Sequence, residues 1–223
     1  MIDVCHLDEA GFALTLPTTY SWCPQGERLR VPYQAPHGRR VNVIGAYVAH
    51  GPEAGRLHYQ SWVMLPKSRA KKPRTTPEER AAAHGLTVGE VGPLDAERLV
   101  AFLWQVAGRP ADAAPTWRRE RPLVIALDND SVHTSQTVVA ARPQLTAANV
   151  ALVYLARYCP EQSDIEPIWN DVKQQQIPVR SFERVADLKQ AVDDALARKA
   201  QQLQQAHVKP TNVKPTNIHR LAA

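Results

Sequence analysis

Apolar residues alternate with polar ones, or run in short blocks, through the first 65 positions, and turn-forming residues separate the blocks. MIDVCHLDEAGFAL at 1–14, RLRVPYQ at 28–34, RVNVIGAYVAH at 40–50 and RLHYQSWVML at 56–65 each read as strands. Pro-Gln-Gly, Pro-His-Gly and Gly-Pro-Glu between them predict an antiparallel meander. From Pro66 to Pro93 no apolar period is sustained, which predicts a long basic, Pro-rich connection holding one short helix near Glu78–Ala83. Asp95 then stands as an N-cap before Leu99, Phe102, Leu103 and Val106 at helical spacing, with Gly108 and Pro110 as the stop.

The second half changes period. RPLVIALDND at 121–130 is a continuous apolar run ending in acids, the pattern of a strand buried on both faces whose carboxyl end opens onto a site. SQTVVAA predicts a short helix stopped by Pro143, and NVALVYLAR at 149–157 predicts a second buried strand. Strand, helix, strand implies a parallel pair with a crossover. A helix is expected from Asp164 through Glu166, Trp169 and Lys173, and another opened by Ser181, with Val185, Leu188, Val192 and Leu196 as its apolar stripe. VKPTN occurs twice in tandem at 208–217, where each proline blocks a helix, so 206–223 is expected to be an extended, mobile tail.

Composition narrows the classes. The chain has 223 residues, 44% hydrophobic and 22% charged, which suits one domain over 1–205. No run approaches the ~18 apolar residues of a membrane span, and the N-terminus lacks a leader pattern, so a cytoplasmic protein is expected. Cys5, Cys23 and Cys159 form no C-x-x-C pair and predict neither a disulfide framework nor a zinc ribbon. The net charge of +5 is uneven: residues 195–223 hold five basic groups and no acid, and Lys67, Arg69, Lys71, Lys72, Arg74 and Arg80 form a second excess. Two basic stretches on a neutral body suit contact with a phosphate backbone, or are a solvated loop and tail. Neither a Gly-x-Ser-x-Gly elbow nor a phosphate-binding Gly-x-x-x-x-Gly-Lys loop occurs.

Three carboxylates stand out by position: Asp8 after an apolar strand start, Asp128 at the end of the strongest apolar strand, and Glu166 early in the helix after the next strand. If the meander and the parallel pair share one mixed sheet, all three converge, and converging acceptor-only oxygens are ligands that Mg²⁺ or Mn²⁺ prefers. Asp130, two residues on, is the rival to Asp128. His133 either holds Asp128, contacts a phosphate or caps the next helix; Asn129 either orients a ligand or makes an Asx turn. Lys173, sharing a helix face with Trp169, and Arg157 and Tyr158 at a strand exit are candidates for phosphate contact, as are Lys71, Lys72 and Arg74.

These residues carry a resemblance. Asp8-Glu9-Ala10-Gly11-Phe12 with Trp22 and Gly26, then Asp128-Asn129-Asp130-Ser131-Val132-His133, then Tyr154 to Pro160 with Ile165-Glu166, Trp169 and Lys173, resemble in order the three catalytic motifs of IS630 and Tc1/mariner transposases. The resemblance implies an α/β, RNase H-like fold with a mixed five-stranded sheet flanked by helices. It further implies a DDE triad of Asp8, Asp128 and Glu166 holding two Mg²⁺ or Mn²⁺ ions, and strand cleavage followed by strand transfer of double-stranded DNA. A homodimer bridging two DNA ends and a location on the bacterial nucleoid are expected with it. The family's Asn-Pro before Ile-Glu is Ser163-Asp164 here, with Asp164 expected as the N-cap. Only seven residues precede Asp8, so the helix-turn-helix module usual in the family is expected from a separate or missing partner. A non-enzymatic transposase-derived DNA-binding or regulatory protein and an RNase H-like nuclease are the alternatives.

Overall fold

The computed structural model describes residues 1–14, 24–27, 39–65, 75–156, 162–178 and 182–208. The strand expected at 28–34, Trp22, the basic residues Lys71, Lys72 and Arg74, Arg157, Tyr158, Ser181, Cys23, Cys159 and the VKPTN repeats (apart from Val208) lie outside these residues.

The meander forms as β1 (Asp3–Ala13), β2 (Arg40–His50) and β3 (Leu57–Met64), each antiparallel to the next. The later apolar runs form β4 (Leu123–Leu127) and β5 (Val150–Tyr154), parallel to each other, and β4 lies parallel to β1. The expected mixed five-stranded sheet results, in the order β3-β2-β1-β4-β5. Alternation along the strands splits it into two faces. One buries Ala10, Phe12, Val41, Val43 and Val63 under α5 (Val185–Val208), whose stripe of Val185, Leu188, Val192 and Leu196 is buried as expected. The other buries Cys5, Leu7, Ile44, Ala46 and Ile125 against α2 (Ala96–Val106) and α3 (Gln136–Ala147). Burial there pushes the Cys5 thiol well above its ordinary range, in keeping with an inert structural cysteine.

The short helix of the long connection is α1 (Pro77–Ala82), opened by a Thr76–Glu79 capping box, and Asp95 caps α2 by accepting from the Arg98 N–H at 2.9 Å. Three expectations need correction. Pro143 does not stop α3, which continues to Ala147. Leu145, beyond the proline, is fully buried, a gain of roughly 1.5–3 kcal/mol that matches the ~3 kcal/mol a helix-interior proline costs. The bond lost is that to the Val139 carbonyl, and Val139 is exposed, where water can replace it. Second, β5 is an edge strand with Ala151 and Val153 exposed, not a buried one, because its only partner among the described residues is β4. Third, α5 runs to Val208 and so takes in the first residues of the expected tail. No helix among the described residues is long and apolar enough to cross a membrane.

Opposite the end where β4 stops towards Asp128, a buried ion-pair network fixes the sheet's other margin. Arg119 meets Asp3 at 2.9 Å and Glu53 at 3.2 Å, and Arg121 meets Glu53 at 3.1 Å. This ties the β2–β3 turn, the start of β1 and the approach to β4 together, and so sets the β1–β4 register on which the site depends.

Candidate active site

The parallel register pairs Leu7 with Leu127, so the next residues, Asp8 and Asp128, stand side by side where β4 ends and β1 continues. Asp8 faces the α5 side of the sheet. Its partner on β2 is Gly45, and a Cβ there would overlap the Trp169 ring. The missing side chain lets the buried indole lie on the sheet and donate from Nε1 to Asp8 Oδ2 at 3.1 Å. Trp169 belongs to α4 (Glu166–Asp171), which begins at the third carboxylate. Glu166 is one turn ahead of Trp169 on the same helix face, so the Gly45–Trp169 contact also sets where Glu166 stands. Gly45→Ala is therefore expected to destabilise the fold by about 1–3 kcal/mol and displace α4, read as a lower denaturant midpoint and a changed tryptophan emission; an unchanged midpoint would show that α4 is placed by other contacts.

Asp164 does not cap α4, whose N-cap position is Ile165. The Asp164 carboxylate lies 3.5 Å from His6 Nε2 and 3.8 Å from His50 Nε2, while its backbone N–H donates to His6 Nδ1 at 3.4 Å. Asp164 thus fastens the lead-in to α4 onto β1 and the end of β2. Burial holds His6 below its ordinary pKa against the pull of Asp164.

Asp8 carries the clearest electrostatic signature. Its carboxyl is raised from 3.8 to about 6, first by burial; a backbone hydrogen bond from Glu9 opposes this, and the charges of Glu166, Glu9 and Asp128 add to it. With a folded pKa above the unfolded one, ionised Asp8 costs stability above pH 6, and the cost disappears as pH falls below 4. In metal-free protein Asp8→Asn should accordingly raise stability by about 2–3 kcal/mol at pH 7.5 and change little at pH 4, as measured by urea unfolding. Equal effects at both pH values would refute a charge penalty at Asp8.

Asp128, by contrast, is exposed, and its Oδ1 accepts from His133 Nδ1 at 2.7 Å and from the Asp130 N–H at 3.0 Å. Its Oδ2 has no hydrogen-bond partner among the described residues. Asn129 donates to the Leu155 carbonyl at 2.7 Å, so it pins the loop to the chain after β5 rather than closing an Asx turn. Asp130 makes that turn instead, accepting from the Val132 N–H at 2.9 Å. His133 is fully buried; besides Asp128 it meets Glu9 Oε1 through Nε2 at 2.9 Å, and Tyr154 Oη donates to its carbonyl at 2.7 Å. Burial alone would lower its pKa, but the hydrogen bonds and charges of Glu9 and Asp128 outweigh burial and carry it up to about 9. It does not cap α3, because Ser135 does.

Lys173 lies in a π-helical turn at Val172–Gln176, with Nζ 5.7 Å from the centroid of Phe12, a residue of the Asp8 face. Glu9 carries no local signal of its role. Strand alternation does place it opposite Asp8, but its partner, His133, is 124 residues away.

The donor set, three carboxylates of which one is poorly solvated, fits a hard divalent cation. Among the described residues no three His, Cys, Asp or Glu side chains stand close enough together to form a ready-made cage.

Residues 83–189, which include Asp128 and Glu166, match the family model described as DDE superfamily endonuclease. Solved structures of similar fold include the Mos1 mariner paired end complex with Mn (TM-score 0.54) and the Mos1 transposase paired-end complex with left transposon end (0.53), both at 14% identity over 91% of this chain. The Mos1 strand transfer complex aligns over 92% of this chain with a TM-score of 0.52. The chain spans about half the length of these proteins, 52% in each case. No curated protein matches the sequence. The matched segment thus resembles a DDE endonuclease domain, and the five-stranded sheet that carries it has the RNase H-like order. In fold, though not in sequence identity, the chain is similar to these mariner transposase structures.

Proposed function

We propose that this domain cleaves double-stranded DNA at transposon ends and joins the freed strand to a target, with Asp8, Asp128 and Glu166 as its metal ligands. The observation that carries the reading is the β1–β4 register, which sets Asp8 beside Asp128, together with the Trp169–Asp8 hydrogen bond that brings in α4 and Glu166. Two Mg²⁺ or Mn²⁺ ions bound there would activate the attacking water or 3′-hydroxyl and steady the leaving oxygen. The chain's own contribution would be to hold the carboxylates in place: His133 and the Asp130 N–H engage Asp128 Oδ1, and Trp169 donates to Asp8. Lys173, Arg157 and Tyr158, and Lys71, Lys72 and Arg74 of the basic connection, would take the DNA phosphates. Recognition of transposon ends would fall to a helix-turn-helix module, and bridging of two ends to a homodimer on the bacterial nucleoid.

The test is cleavage of an end-labelled duplex by the full chain, with and without a supplied helix-turn-helix module, in Mg²⁺, Mn²⁺ and chelator. Metal-dependent nicking, absent in chelator, is expected. Failure of cleavage together with failure to bind Mn²⁺ in the presence of DNA would overturn the reading in favour of a non-enzymatic DNA-binding protein.

A further inference from the structure

β1 outruns β4 beyond Asp8, and the sheet surface there, on the side opposite Asp8, is only partly roofed by the α2–α3 layer. A groove of about 340 Å³ remains, the low end of the roughly 300–1,000 Å³ of small-ligand sites. Its lining divides by chemistry. Met64, Pro93 and Leu94 supply apolar surface; Arg40 and Asn42, two positions apart on β2 and hence on one face, supply a cation and an amide. Gly11 pairs with Asn42 across the strands, and a Cβ at Gly11 would meet nothing nearer than Asn42 Oδ1 at 4.0 Å.

The groove's acids are already engaged. Glu9 is held by His133, and Asp130 accepts from the Val132 N–H and the Ser131 hydroxyl. The side chains of Arg40 and Asn42 have no partner among the described residues. A guanidinium and an amide without partners among the described residues, beside an apolar patch, match a phosphate, a base edge and a base face. Glu9, one of the groove's lining residues, reaches Asp128 through a single imidazole.

We propose that this groove receives one unpaired nucleotide of the DNA strand next to the cut, with its phosphate on Arg40, its base edge on Asn42 and its base against Met64 and Leu94. The inference rests on the proposed DNA-cleaving function and adds to it where the strand leaves the carboxylates. The function could hold with the strand running elsewhere.

The experiment uses the full chain and two labelled DNAs, a blunt duplex and the same duplex with a three-nucleotide single-stranded extension, followed by fluorescence anisotropy over a salt series and by cleavage kinetics. The extended DNA should bind about tenfold more tightly. Arg40→Gln should remove most of that difference and lower the salt slope by about one. Gly11→Leu, which fills the groove, should abolish the difference and raise KM for the extended DNA with kcat nearly kept. Near-ultraviolet circular dichroism checks that both variants fold; Arg40 is exposed, so Arg40→Gln remains informative if Gly11→Leu does not fold. Equal binding of the two DNAs by the wild type, or an undiminished preference in Arg40→Gln, would overturn the subsite while leaving the cleavage reading intact. Absence of binding to either DNA and of cleavage would overturn both.

Discussion

Replacing Asp128 with alanine is expected to reduce metal-dependent DNA cleavage at least about a thousandfold, some 4 kcal/mol of transition-state stabilisation, while the protein stays folded. Both halves follow from its position. The side chain is 60% exposed beyond the last residue of β4 and contributes nothing to either core, so its loss opens no cavity. What disappears is a carboxylate oxygen beside Asp8 and one of the two anions holding His133, while Glu9 still engages the ring. Asp128→Asn separates the effects, since its amide oxygen still accepts from His133 but carries no charge for a cation. It should be as inactive as the alanine variant and closer to wild type in stability. Cleavage retained in either variant would remove Asp128 from the metal ligands and return attention to Asp130. The measurement is single-turnover cleavage in Mn²⁺ alongside a thermal melt.

His133→Gln is expected to have the second-largest effect, on stability first and on activity through Asp128. In the metal-free protein the imidazole is buried between two carboxylates and its pKa is raised from 6.5 to about 9. A base whose folded pKa exceeds its unfolded value adds stability that is complete below the unfolded pKa and is lost as pH rises through the folded one. Urea unfolding in chelator should show wild type losing about 3 kcal/mol between pH 6 and pH 10, with the variant less stable at pH 6 and nearly flat over that window. Parallel profiles for the two proteins would mean that His133 is neutral at pH 6 and that the bridge is not ionic. Because His133 also turns Asp128, the variant should need a higher Mn²⁺ concentration for cleavage and lose about 10–100-fold in rate.

The elements with strong local signals are legible in the amino-acid pattern alone. Asp95 and the spacing of Leu99, Phe102, Leu103 and Val106 define α2, because a cap and a 3.6-residue period are properties of neighbouring residues. The stripe from Val185 to Leu196 defines the buried face of α5 for the same reason. The apolar run ending at Asp128 and the ordered motifs from Asp8 to Lys173 point to a mixed sheet with carboxylates at its strand ends, and the register of β1 with β4 places two of them together.

Other features have their causes far away along the chain. Pro143 reads as a helix stop until Leu145 is seen to be buried, and NVALVY reads as a buried strand until β5 proves to have one partner among the described residues. Asp164 has the chemistry of a cap, yet His6 and His50, more than a hundred residues earlier, claim it. Asp8 meets Trp169 across 161 positions, and Gly45, which makes room for that contact, carries no side chain to announce it. Local period and composition therefore dictate the elements, the order of the motifs and the acidic character of the site. Which oxygen each partner holds, which groove stays open and how the ionised form of Asp8 is penalised are settled at the tertiary level, because burial and pairing between distant segments exist only after the chain has folded.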